Sequence, residues 1–330
     1  MNRLNPSRID WRLPALLCAF VALPYLAGDN RFAAFIVGIA MINILYAMGM
    51  NLLYGYTGLL PLMFAGIAGL SAYSTVGLVM RAGWSFWAAM PLSAVGAALV
   101  GVLLGLPALR LRSFYFILSG LVIQTAVSLA FLYFAGLTNG DTGIAQIPRP
   151  DLPFVSGATL SDIQFEILLA VVAWLGVAAL WIIIRSRLGE KLVAIREDEV
   201  LAGAMGVDVV YYKLIAFFIS SLYAAVAGAL YASFAGFVSP RNFDLLISVN
   251  IWLMVALGGK GTIRGPIVGA LLLTPLPFIL LRYDLPTDIL YGILIIVVIT
   301  LLPEGLFPRH GRRNLLLEAP KRLFLAWARK

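Results

Sequence analysis

Long apolar runs dominate the chain, separated by short polar breaks. Ten runs, approximately at residues 14–27, 31–53, 57–80, 84–106, 113–136, 165–184, 214–236, 245–258, 266–281 and 287–302, approach the roughly 20 apolar residues a helix needs to cross a bilayer. The first and eighth are short, and Pro24 interrupts the first. In hydrocarbon every backbone polar group has to be paired within the protein, so the runs are predicted to be helices. Their spacing leaves one sizeable loop at 137–164 on one side of the membrane and one at 185–213 on the other. The pattern therefore predicts an all-α, polytopic integral membrane bundle of about ten spans, forming one domain over residues 1–330.

Composition agrees with that reading. The mean hydropathy is +0.95, with 62% hydrophobic and 12% charged residues, and a water-facing surface so apolar would aggregate. Charge sets the orientation. With the N-terminus inside, the inner segments hold Arg3, Arg8, Arg12, Arg110, Arg112, Arg185, Arg187, Lys191, Arg196, Lys213, Lys260, Arg264 and the basic tail 309–330, in all 19 of the 24 basic residues. The outer segments keep Arg31, Arg81, Arg149, Arg241 and Arg282. Lys and Arg accumulate in cytoplasmic loops, so both termini are predicted to lie inside. The formal charge of +8 then follows from topology and calls for no nucleic-acid partner. The tail mixes Leu315–Leu317, Leu323, Phe324 and Trp327 with basic residues and is expected to rest on membrane lipid. Arg3, Arg8 and Arg12 before an apolar run imitate a signal peptide, but no small-residue cleavage site follows, and an uncleaved first span is expected.

What the apolar runs lack narrows the chemistry. No Asp, Glu, Lys or Arg lies well inside a run, which counts against a proton- or sodium-coupled carrier. Neutral polar residues remain: Asn43, Asn51, Ser119, Gln124, Thr125, Ser128, Ser220, Ser221, Ser248 and Asn250. Asn43, Gln124 and Thr125 are the candidates for lining a solute path. Hydrogen bonding between helices is the alternative use of such side chains. The only histidine is His310 and the only cysteine Cys18, so neither a His-based metal site nor a Ser-His-Asp triad is expected within the membrane. The segment GGKGT at 258–262 does not meet the phosphate-loop pattern, because Gly261 follows Lys260. No cofactor is expected, and an energy source would sit on another chain.

The loop at 185–213 carries the densest charge. Arg196, Glu197, Asp198 and Glu199 precede a small-residue patch at Ala202, Gly203, Ala204 and Gly206. Small residues allow a close backbone approach, and flanking charges orient a contact. A helix beginning near Gly189 is expected to dock on a cytoplasmic partner. Gly258, Gly259, Gly261, Gly265, Pro266 and Gly269 offer close helix crossings, either at a gate or in static packing. Asn139, Gly140, Asp141 and Gly143 read as a turn.

Four segments resemble permease subunits of branched-chain amino acid ABC importers. They are AIREDEVLAGAMGVDVVYYKLIAFFIS in the inner loop, LTNGDTGI at 137–144, LGGKGTIRGPIVGA at 257–270 and LLPEGLFP at 301–308. The resemblance spans about residues 45 to 308. It implies a non-catalytic subunit of a bacterial inner membrane importer working by alternating access. Its partners would be a homologous second permease, two cytoplasmic ATPase subunits and a periplasmic substrate-binding protein. Arg196, Glu197, Asp198, Glu199, Ala202 and Gly206 would form the coupling contact with the ATPase, and Asn139, Gly140, Asp141 and Gly143 would face the binding protein. In GYTGLLPLMFAG, Leu59, Pro61 and Met63 stand where Gln, Ser and Gly are the family's usual residues. That departure keeps urea or short amides, and aromatic or dicarboxylic acids, open as solutes. A stand-alone carrier or channel is the alternative from another class.

Overall fold

The computed structural model describes residues 12–27, 30–111, 113–151, 159–282, 290, 292–293, 296, 300 and 305–307. Within them run α1 Arg12–Ala27, α2 Arg31–Asn51, α3 Phe64–Met80, α4 Phe86–Leu109, α5 Ser113–Tyr133, α6 Ala135–Thr138 and the two-residue strand β1 Ile144–Ala145. Next come α7 Asp162–Arg185, α8 Arg187–Glu197, α9 Glu199–Ala204, α10 Val209–Ala235 and β2 Phe237–Val238. The last are α11 Leu245–Gly258, α12 Arg264–Leu273 and α13 Pro275–Arg282. Six helical stretches are long and apolar enough to cross a membrane: Arg31–Thr57, Phe86–Leu109, Phe114–Tyr133, Asp162–Arg185, Val209–Ala235 and Pro240–Gly258. Shorter apolar helices fill the first, third and ninth expected positions. The tenth expected run, 287–302, and the basic tail lie outside the described residues except at isolated positions.

α10 is the hub. It packs against α2, α3 and α4 through a face of small residues, including Ala224, Ala225, Gly228 and Ala229, all buried. Lipid tails are as apolar as leucine, so burial of large side chains gives helices no reason to associate, and close backbone packing does instead. A Cβ on Gly228 would strike the Ala68 carbonyl of α3. Polar side chains fasten the same crossings: Ser220 Oγ donates to the Gly49 carbonyl of α2 at 2.7 Å, and Tyr223 OH donates to the Gly176 carbonyl of α7 at 2.6 Å. Large apolar side chains on α4 and α5, among them Leu103, Val122 and Leu129, point outward, as a bilayer solvent permits.

The sequence reading needs correcting at two places. The third helix starts at Phe64 rather than 57, because α2 runs into one π turn at Leu52–Thr57 that stops at Gly58 (φ +79°). Pro61 lacks the N–H that would restart a ladder there. The inner loop is two helices rather than one, broken at Asp198, whose backbone is extended (φ −155°). The run at 266–281 lies in one apolar helix over Arg264–Leu280, in which Thr274 keeps helical backbone angles (φ −63°, ψ −45°) and donates its N–H to Ala270 O at 2.9 Å. The all-α class holds among the described residues, with one two-residue pairing beside the helices: β1 and β2 pair antiparallel, Ile144 opposite Val238.

Candidate functional site

The inner loop gathers all six expected coupling residues at one end of the bundle. α8 seats Leu192 and Ile195 on the helices beneath it. Asp198 then turns the chain and caps α9, its Oδ1 accepting from the N–H groups of Val200 (2.9 Å) and Leu201 (3.0 Å), a standard use of Asp at a helix start. Ala202 is the buried contact of α9. The opposite face is bare: Val200, Leu201 and Met205 are 83%, 61% and 79% exposed. Gly206 closes α9 with φ +83° and has nothing within 4 Å of where a Cβ would stand. Its role inside this chain is therefore the left-handed turn.

Two charged struts hold this knob. Lys213 in the first turns of α10 is 2% exposed and donates to Glu199 Oε1 at 2.6 Å. Arg196, beside Glu197, donates through Nη1 to the Gly55 carbonyl in the π turn at 2.5 Å. One turn back, buried Asn51 clamps the α11–α12 connection: its Oδ1 accepts from Gly261 N–H at 2.9 Å, and its Nδ2 donates to the Thr262 carbonyl at 2.8 Å. The knob is thus tied to α10, to α2 and, through Asn51, to the loop ahead of α12.

The glycines of that loop serve backbone contact. A Cβ on Gly258 would enter the Gly265 carbonyl, one on Gly269 the Met254 carbonyl, and one on Gly259 (φ +121°) the Phe307 carbonyl. Pro266 lies in the first turn of α12, where a missing N–H costs nothing. Residues 306 and 307 bond back, Leu306 N–H to Leu257 O at 2.8 Å and Phe307 N–H to Gly258 O at 2.9 Å.

At the other end, Asn139 (φ 59°) and Gly140 (φ 59°) form the expected turn. Asp141 lies 3.4 Å from Arg241. Gly143 leaves no room for a Cβ beside the Val238 carbonyl, which is what lets β1 meet β2. Arg81 Nη2 donates to Leu137 O at 3.0 Å and Trp87 Nε1 to Asp151 O at 2.8 Å, pinning this loop to the bundle.

The candidate path residues fall in three different places. Asn43 lines a cavity of about 460 Å³ between α2, α10, α11, α12 and α13. Gln124 is fully buried, bonding to Gly66 N–H (2.7 Å) and Phe243 O (2.8 Å), and joins helices without facing that cavity. Thr125 is exposed on the outward face of α5, its hydroxyl returned to Leu121 O at 3.0 Å. Tyr46, Tyr231, Asn242 and Thr274 also line the cavity and were not singled out from the sequence. Leu59, Pro61 and Met63, the departures from the family pattern, are buried in the packed interior away from it. Among the described residues no three His, Cys, Asp or Glu side chains gather to hold a metal ion.

Membrane-length helices, a mostly apolar cavity among them and a protruding loop helix define a polytopic helical membrane protein of the permease kind. The chain belongs to the family described as branched-chain amino acid transport system / permease component, whose profile matches residues 32–299. Among curated relatives, the high-affinity branched-chain amino acid transport system permease protein LivM of Escherichia coli is 32% identical over 317 residues, covering 90% of this chain and 74% of the relative. LivM of Salmonella typhimurium is 31% identical over the same spans. The permease protein LivH of Salmonella typhimurium is 24% identical over 282 residues, 80% of this chain and 91% of the relative. No solved structure matches the chain significantly.

Proposed function

We propose that this chain is a transmembrane permease subunit of an ATP-driven ABC importer for branched-chain or related amino acids, multi-pass in a bacterial inner membrane with both termini in the cytoplasm. It would work beside a homologous second permease, two cytoplasmic ATPase subunits and a periplasmic substrate-binding protein, and would catalyse no chemistry itself. The α9 knob carries this reading. Its three exposed apolar side chains, rigidly backed by Lys213 and Arg196, suit insertion into a groove on a cytoplasmic motor. A push on α9 would reach α10 and α2, both of which line the cavity, so closure of the ATPases would rock the helices around the path. Asn139, Gly140, Asp141 and Gly143 sit at the far end, where the binding protein would deliver solute. The named relatives are permease proteins of branched-chain amino acid systems, which supports that solute class over urea, short amides, and aromatic or dicarboxylic acids.

The test is reconstitution. Vesicles holding the permease pair, the ATPases and the binding protein should accumulate leucine, isoleucine or valine only with ATP on the motor side, and vesicles holding this chain alone should accumulate nothing. Concentrative uptake by the lone chain, driven by protons or sodium, would falsify the importer reading.

A further inference from the structure

The end of α2 nearest the α9 knob is a junction of three segments. Its last turn is the π turn Leu52–Thr57, closed by Gly58, and such turns are rare and recur at functional sites. One side of the turn carries α8. Arg196 donates through Nη1 to the Gly55 carbonyl at 2.5 Å, and its Cγ is 3.2 Å from where a Cβ on Gly58 would stand. The other side carries the connection between α11 and α12, because a Cβ on Gly55 would strike both Asn51 Oδ1 and the Gly261 nitrogen. Gly55 therefore serves both sides, its carbonyl meeting Arg196 and its bare Cα admitting Gly261.

Asn51, fully buried, closes the junction. Its amide grips two successive backbone groups, accepting from Gly261 N–H at 2.9 Å and donating to the Thr262 carbonyl at 2.8 Å. The connection it grips is itself braced. Thr262 Oγ1 donates to the Gly259 carbonyl at 2.9 Å and accepts from Gly265 N–H at 3.1 Å, and Phe307 N–H donates to the Gly258 carbonyl at 2.9 Å. The flanking helices α11 and α12 supply Ile251, Met254 and Leu273 to the wall of the cavity, whereas Asn51 is not on that wall. Pulling α2 away from the connection would strand a buried amide and two backbone groups, which is costly, so the two move together.

We infer that Asn51 is a positioning residue for coupling: it carries displacement of the α8–α9 knob, received through Arg196 and the π turn, onto the α11–α12 connection and so onto one wall of the cavity. The inference rests on the importer reading above and adds the internal link from α2 to α11 and α12. Coupling between distant sites is carried by contiguous packed and hydrogen-bonded contacts, and this chain of contacts is continuous from Arg196 to Gly265. Gln124 supplies the comparison. Equally buried, its amide accepts from Gly66 N–H at 2.7 Å and donates to the Phe243 carbonyl at 2.8 Å, the same pair of bonds outside the chain that starts at Arg196.

The test is the leucine accumulated per ATP hydrolysed by the complete importer in vesicles. Asn51→Ala should lower that ratio at least about fivefold, the lower end of ordinary coupling between sites, while ATP hydrolysis continues. Gly55→Ala, which crowds Asn51 and Gly261 without altering the asparagine, should do the same. Gln124→Ala should lower the unfolding temperature yet keep the parent ratio, which separates a relay from loss of packing. Arg196→Gln combined with Asn51→Ala should lower the ratio no further than the more severe single variant, because residues acting in series are not additive. The relay is overturned if Asn51→Ala and Gly55→Ala keep the parent ratio, if Gln124→Ala lowers it as much as they do, or if the effects of Arg196→Gln and Asn51→Ala multiply. Should Asn51→Ala fail to assemble, Gly55→Ala and Arg196→Gln, singly and together, decide by the same measures. An unsubstituted importer that accumulates no leucine with ATP would instead sink the importer reading.

Discussion

Gly258, Gly265 and Gly269 are glycines because α11 and α12 touch backbone to backbone. The ideal Cβ of each falls on a carbonyl or a tightly packed neighbour of the facing segment, with no flexible side-chain tip to yield. Gly77 in α3 differs, having nothing within 4 Å of its Cβ position. Gly269→Ala should therefore cost roughly 1–3 kcal/mol as an overpacked contact, read as a lower unfolding temperature of the detergent-purified protein. Gly77→Ala should change stability by less than about 1 kcal/mol, and upward if at all. Equal behaviour of the two variants would contradict the close crossing. At this scale the sequence shows which residues are unusual for a membrane but not what they meet. Asn43, Gln124 and Thr125 look alike as lone polar groups in apolar runs, yet one lines the cavity, one joins α5 to α3 and one faces outward. Their partners Thr274, Gly66 and Phe243 are 231, 58 and 119 positions away for the two that reach across the fold, so no local pattern distinguishes them.

The element that sets the proposed coupling is α9, six residues long and too short to be stable by itself. It exists because Asp198 caps it, Glu199 is held by Lys213, and Ala202 is pressed into the bundle. Val200, Leu201 and Met205 contribute nothing to that scaffold, being mostly exposed. Replacing Val200 and Leu201 with Glu should leave the folded permease intact and weaken its capture of purified ATPase subunits by at least about tenfold, as for loss of an apolar anchor. Retained binding at the wild-type strength would remove α9 from the docking surface. Gly206→Glu is a weaker probe, because φ +83° strains any side chain there whatever docks beside it. The position of the proposed coupling loop stands out in the sequence by its charge, whereas its division into α8 and α9 does not. Asp198 read as one more acidic residue in a run, and only its extended backbone shows it to be a cap. The late start of α3 was written in Gly58 and Pro61, both recognised breakers, but hydropathy alone ran straight through them.

Among the described residues six of the expected runs, the second and the fourth to eighth, are helices of membrane-crossing length, because an apolar run is a signal that needs no long-range information. Their arrangement adds the missing physical link: basic residues Arg110, Arg185, Arg187, Lys191 and Arg264 belong to the end that carries α8 and α9, while Arg81, Arg149 and Arg241 belong to the end that carries the β1–β2 pair. That asymmetry, together with the preference of Lys and Arg for cytoplasmic loops, supports α9 facing the cytoplasm. In a Cys18→Ser background, Met205→Cys, at a position 79% exposed, should resist an impermeant thiol reagent in intact spheroplasts and react once the membrane is opened. Thr142→Cys, exposed at the opposite end, should react in both. The reverse pattern would put the knob outside the cell, beyond reach of any ATP-hydrolysing partner, and the two struts from Lys213 and Arg196 would then brace a surface with no motor to move it.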